Sequence, residues 1–138
     1  MVDGRRSGRD QTVFASGVAQ RAHTLAAPWL EEAEAALRES IEIARSLDYR
    51  EVLAYCLETS GELAFEHSDP ERAAFLLGAS ADAFEKLEIA MAPEEADGYA
   101  RVLEELRARL GSDRVDELHA SGHAAPFEES IGAALDPA

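Results

Sequence analysis

Apolar residues recur along this chain at intervals of three and four, the period of helices that bury one face, and rarely alternate as a half-buried strand requires. No strand is expected. Residues 11–26 read as a first, weak helix, with Phe14, Val18, Ala22 and Leu25 on one face, Gly17 interrupting it and Pro28 ending it. A second helix over 29–47 places Leu30, Ala33, Leu37, Ile41, Ala44 and Leu47 in one stripe expected to be buried. Asp48 followed by Glu51 has capping-box spacing, so a third helix should start near Tyr49 and run to about His67. Its buried side is expected to hold Leu53, Cys56, Leu57, Ser60, Gly61 and Ala64.

Ser68-Asp69-Pro70 closes that helix and opens a fourth, with Asp69 as N-cap and Pro70 in the first turn. The fourth should extend to about Ala90, with Ala73, Leu77, Ala81, Phe84 and Leu87 inward and Ala74 and Leu76 in support. Pro93, with Glu94 and Glu95 near the positive end of the helix dipole, starts a fifth that buries Tyr99, Val102, Leu103, Leu106 and Leu110. Gly111 stops it. Ser112 then caps a short sixth helix with Val115 and Leu118, Gly122 breaks that helix, and Pro126 begins a seventh with Phe127, Ile131 and Leu135.

An internal repeat organises these pieces. At a shift of 40 residues Ala33 meets Ala73, Leu37 meets Leu77, Ser40 meets Ser80, Ile41 meets Ala81, Ala44 meets Phe84 and Leu47 meets Leu87. A stack of antiparallel helical hairpins follows, each using the next as the lid for an apolar face it cannot bury alone.

Composition narrows the function classes. With 138 residues, 46% of them hydrophobic, the chain suits one soluble all-α domain, and no apolar run nears the roughly 20 residues of a bilayer helix. Acidic residues outnumber basic ones 28 to 13, for a formal charge of −15, which opposes nucleic-acid binding. Residues 1–27 carry four Arg and two Asp, so the remainder carries −17. Residues 1–10 read as a flexible arm, and 11–138 as a single helical-repeat domain with capping helices from about 94. The single Cys56 cannot close an intramolecular disulfide, and no secretory signal opens the chain, so a cytoplasmic location is expected.

From Leu57 the chain shows Leu57-x2-Ser60-Gly61-x2-Ala64 and then Ala73-x3-Leu77, which resembles the tetratricopeptide signature, with small residues where two helices approach closely. It departs from that signature at Leu57 and Ala64, where Trp and Tyr are usual, and at Glu85, where Pro closes the unit. Glu39-Ser40-Ile41-Glu42-Ile43-Ala44-Arg45, Asp69-Pro70-Glu71-Arg72-Ala73-Ala74 and Leu76-Leu77-Gly78-Ala79-Ser80 are similar to the last hairpins of the arrays in large ATP-binding bacterial regulators of the LuxR and SARP types, and in cyclase-linked signalling proteins. Ser121-Gly122-His123 and Phe127-Glu128-Glu129-Ser130-Ile131 resemble the terminal segment of such arrays. The resemblance covers about 29–135. It implies a short right-handed tetratricopeptide-like superhelix, the C-terminal part of a regulator, that binds a protein partner or the rest of that regulator.

Chemical constellations are sparse. No phosphate-binding G-x-x-x-x-G-K-[ST] loop occurs, and Arg101, Arg107 and Arg109 are offset by Glu94, Glu95, Glu104 and Glu105, so no basic recognition helix is expected. His119 and His123 stand four apart with Asp116 a turn earlier, a metal-ligand spacing, yet a surface or helix-end pair is the favoured reading. No Glu-x-x-His motif of a di-metal bundle is present. Cys56 reads as a packed small hydrophobe, and Glu31-Glu32, Glu94-Glu95 and Glu128-Glu129 as dipole-complementing first turns. Trp29, Tyr55, Phe65 and Tyr99 are the candidate groove or partner contacts, with core packing as the alternative. No catalytic residue, cofactor site or metal site is assigned.

Two functions therefore stand against each other. The first is a non-catalytic interaction and regulatory module, with a possible homodimer through the first two helices; the second is a small stand-alone helical enzyme or ligand carrier with an enclosed pocket. The missing catalytic constellation favours the first.

Overall fold

Six helices follow one another over residues 27–135, the part of the chain that the computed structural model describes. They are α1 (Ala27–Ser46), α2 (Arg50–Glu66), α3 (Pro70–Leu87), α4 (Pro93–Leu110), α5 (Ser112–Ala124) and α6 (Phe127–Leu135), and no strand occurs among the described residues. The fold is all-α. The arm expected over 1–10 and the helix expected over 11–26 lie outside the described residues.

The first three helices end alike. Asp48, Ser68 and Glu88 each adopt a left-handed conformation, with φ of 53°, 63° and 57°, at a spacing of 20 residues. At each one the chain makes the same pair of backbone bonds: Asp48 N to Arg45 O and Tyr49 N to Ala44 O, Ser68 N to Phe65 O and Asp69 N to Ala64 O, Glu88 N to Glu85 O and Ile89 N to Phe84 O. These are Schellman closures, which satisfy carbonyls left unpaired at a helix C-terminus. Glycine usually fills the left-handed position, so three side-chain-bearing residues accept a modest backbone cost there.

Because each closure reverses the chain within a few residues, α1, α2 and α3 lie antiparallel to their neighbours in sequence. Glu34 of α1 faces His67 beside the end of α2, and Tyr55 and Gly61 of α2 face Phe84 and Leu77 of α3. The row continues with α5, which runs against the far side of α3, while α4 lies across α2, α3 and α5 and α6 packs on α1, α2 and α3.

Glycines set the closest approaches. A Cβ on Gly78 would overlap the carbonyl of His119, and one on Gly122 would overlap the carbonyl of Phe75, so α3 and α5 meet backbone to backbone. A Cβ on Gly61 would stand 2.9 Å from Leu77 Cδ2. Such contacts trade side-chain volume for dispersion between main chains, which a close-packed interior rewards. They also make α5, rather than the sequence-adjacent α4, the intimate partner of α3.

Five local expectations are corrected. Leu47 is 67% exposed rather than buried, since α1 stops at Ser46 and the turn through Asp48 carries it off the helical stripe. The Asp48–Glu51 capping box does not form: Tyr49 occupies the N-cap without a side-chain bond, and Asp48 instead lies 3.4 Å from Arg50 Nε. Ser112 is the first residue of α5 and Gly111 its N-cap. Gly122 does not break α5, which runs through it to Ala124 against the Phe75 carbonyl. On α4 only Leu106 is fully buried, and Tyr99, Val102, Leu103 and Leu110 are partly covered. By contrast Asp69 caps α3 by accepting from Arg72 N at 3.4 Å, with Pro70 in the first turn, as the sequence requires.

Candidate functional site

The α2 helix is buried almost all round from Val52 to Phe65, so whatever polar residue it carries must find partners inside. Glu58 is such a residue, at 3% exposure. Desolvation, reinforced by the neighbouring carboxylates Glu62 and Glu95, pushes its carboxyl up to about 9. At neutral pH it is therefore a neutral acid that can donate a hydrogen bond.

Two phenols flank this acid. Tyr55, a turn earlier on α2, hydrogen-bonds the Glu95 carboxylate and packs edge-on to Phe84 at 4.8 Å between ring centres. Burial and the charges of Glu95, Glu58 and Glu51 push its phenol up to about 12. Tyr99 of α4 spans further: its hydroxyl donates to Leu77 O of α3 at 3.1 Å and meets His119 Nε2 of α5 at 2.6 Å. Burial lowers the His119 pKa, helped by His123 and Arg107, so the ring is neutral when packed. Tyr99 thus ties α3, α4 and α5 together through one oxygen.

A second group forms on the surface beside it. Asp82 and Glu85 of α3 and His123 of α5 place ligand-type atoms within 4.8 Å of one another. His123 Nε2 lies 3.0 Å from Glu85 Oε1 and 3.9 Å from Asp82 Oδ1, while Lys86 supplies a cation 3.0 Å from Asp82 Oδ2. Lys86 offsets one of the two carboxylate charges of this cluster, and His123 contacts the other acid.

The sequence-derived candidates separate in space. Tyr55 and Tyr99 both lie near Glu58, and Tyr55 also meets Glu95, whereas Phe65 lies at the other end of α2, covered by the Arg109 guanidinium 4.4 Å above its ring. The Trp29 side chain lies outside the described residues. His119 and His123 do not share a partner: the first goes to Tyr99, the second to Glu85, and Asp116 pairs with Arg107 at 3.2 Å. Cys56 is buried and its thiol is pushed up to about 12 by desolvation, so it is a packed apolar group.

Glu58 was missed by sequence reasoning. It stands next to Leu57 on a helix read as amphipathic, and only the encirclement of α2 by α1, α3, α4 and α6 puts its side inward. The chemistry available here is that of neutral donors, with hydrogen bonds through Tyr99 joining α3, α4 and α5.

None of the described helices is long and apolar enough to cross a membrane. Comparison of the chain with protein-family models, with curated proteins and with solved structures finds no match.

Proposed function

We propose that this chain is a non-catalytic, tetratricopeptide-like interaction domain, serving as the C-terminal array of a bacterial transcriptional regulator or signalling ATPase in the cytoplasm. The observation that supports the reading is the regular closure of α1, α2 and α3 at Asp48, Ser68 and Glu88, spaced by 20 residues, together with Gly61 of the signature lying against Leu77 of the next helix. Hairpins that repeat in this way stack through neighbours and offer their outer faces to partners. One outer edge is apolar: Ile43, Leu47 and Tyr49, at 50%, 67% and 38% exposure, lie at the α1–α2 turn. Large hydrophobics at such exposure suit a contact site.

Site-specific photo-crosslinking in cells tests this. A photoreactive residue at Leu47 is expected to give one discrete adduct, while the same residue at the exposed Asp113 of α5 gives none. Equal adduct patterns from the two positions, or none from either, would contradict the reading.

A further inference from the structure

Two backbone contacts fix how α3 and α5 cross: Gly78 lies against the carbonyl of His119, and Gly122 against the carbonyl of Phe75. Neither helix can slide or roll there without a main-chain clash, so side chains just beyond the crossing are held in a set relation. Asp82 and Glu85 stand about one and two turns past Gly78 on α3, and His123 directly follows Gly122 on α5. One ligand-type atom from each of these three residues lies within 4.8 Å of the other two.

The separations and the donor types narrow what fits among them. A tetrahedral ion bound at about 2.0–2.2 Å keeps its ligand atoms about 3.3 Å apart. His123 Nε2 lies 3.0 Å from Glu85 Oε1 and 3.9 Å from Asp82 Oδ1, on either side of that value. The longer of these is beyond hydrogen-bond reach, so Asp82 Oδ1 faces the imidazole without bonding to it. Lys86 holds the other carboxylate oxygen, Oδ2, at 3.0 Å, which orients the group and leaves Oδ1 for a ligand. The side chains of Asp82, His123 and Glu85 are 14%, 39% and 67% exposed, so the group is open to an ion from solvent. One imidazole nitrogen with two carboxylates suits zinc, whereas calcium takes about six to eight oxygens and magnesium keeps oxygen ligands and water. The formal charge of −15 draws cations to the surface as a whole.

We propose that Asp82, Glu85 and His123 form a zinc-binding site that bridges α3 and α5, with water completing the coordination shell. The ion takes the place of the hydrogen between His123 Nε2 and Glu85 Oε1, so a contact already made becomes a pair of ligands. The pair His67 and Glu34, also 3.0 Å apart, lacks this property, because no third ligand-type group joins it among the described residues. Zinc held across the α3–α5 crossing adds stability by mass action, which ties the folded population to the free ion. The site does not depend on the regulatory role proposed above, since it uses none of Ile43, Leu47 and Tyr49.

Isothermal titration calorimetry of the whole chain with zinc chloride tests it, on protein free of any histidine tag, with calcium chloride and magnesium chloride as controls. One zinc per chain with a Kd of about 10 µM or tighter is expected, and no saturable heat from calcium or magnesium. His123→Gln and Asp82→Asn should each weaken zinc binding at least about tenfold, while His67→Gln leaves it unchanged. Glu85→Gln alters a largely exposed side chain and should weaken binding at least about fivefold, so it decides the matter where either of the first two variants is unfolded. No saturable zinc binding, or unchanged affinity in a folded His123→Gln or Glu85→Gln chain, would overturn the proposal. So would a loss in His67→Gln as large as that in His123→Gln, which places the ion beside Glu34 instead.

Discussion

The phenol of Tyr99 and the imidazole of His119 meet at 2.6 Å, although 20 residues separate them, and the same hydroxyl donates to Leu77 O at 3.1 Å. Three helices therefore share one oxygen in a partly buried place. Tyr99→Phe keeps the ring and removes that oxygen, leaving His119 Nε2 without this partner, while Leu77 O keeps the Ser80 hydroxyl at 2.8 Å. A loss of about 1–3 kcal/mol in unfolding free energy by urea titration is expected. A loss under about 0.3 kcal/mol would show that the bond carries no net stability.

The pH dependence follows from two groups of opposite sign. Glu58 keeps its proton to about 9 when folded but releases it near 4.5 when unfolded, so the folded state holds the extra proton between these values. Its contribution is whole below 4.5 and is lost as pH rises through 9. His119 acts the other way: its folded pKa is below 6.5, so its environment favours folding above 6.5 and penalises it as pH falls beneath that. Thermal stability should thus decline from pH 7 to 9. Glu58→Gln, which retains a neutral donor of the same shape, should flatten that decline and raise Tm at pH 8 by on the order of 5 °C. Parallel wild-type and variant curves by circular dichroism would contradict the buried acid.

Glycine variants separate packing from helix propensity. Gly78→Ala and Gly122→Ala would each drive a methyl into the backbone of the facing helix, and are expected to cost about 3 kcal/mol or more or to prevent folding. Gly132→Ala meets nothing within 4 Å and sits inside α6, so it should be neutral or stabilise by up to about 1 kcal/mol. Equal effects at Gly78 and Gly132 in chemical denaturation would refute the close α3–α5 crossing.

These glycines also mark how far the sequence reaches. Helix positions, the Asp69 cap and the buried stripe from Leu30 to Ala44 follow from period and capping chemistry, which are local. Gly122 was read as a breaker because a glycine inside a helix is locally unfavourable; its reason for being there is the Phe75 carbonyl on another helix. The same applies to Asp48, where local spacing indicates a cap and the Schellman reversal overrides it. Of the site, Tyr55 and Tyr99 were legible as large aromatics, but Glu58 and the Tyr99–His119 bond arise from long-range packing and leave no mark on a single helical face.

Cys56 supplies a probe of the core. Its buried thiol, pushed up to about 12, is protonated and screened at pH 8. Reaction with a disulfide reagent should proceed at least about a thousandfold slower than in denaturant, since it waits on opening of α2. A rate within tenfold of the unfolded chain's would place Cys56 at the surface.

The account's central claim, a helical stack that works by holding a protein partner at the α1–α2 turn, is tested most directly by the mass of the native species in its own cell extract. Size exclusion with light scattering is expected to show a complex far above the 14.9 kDa of this chain, reduced in mass by the double substitution Ile43→Asp with Leu47→Asp. A lone 14.9 kDa species, unchanged by that substitution, would contradict it.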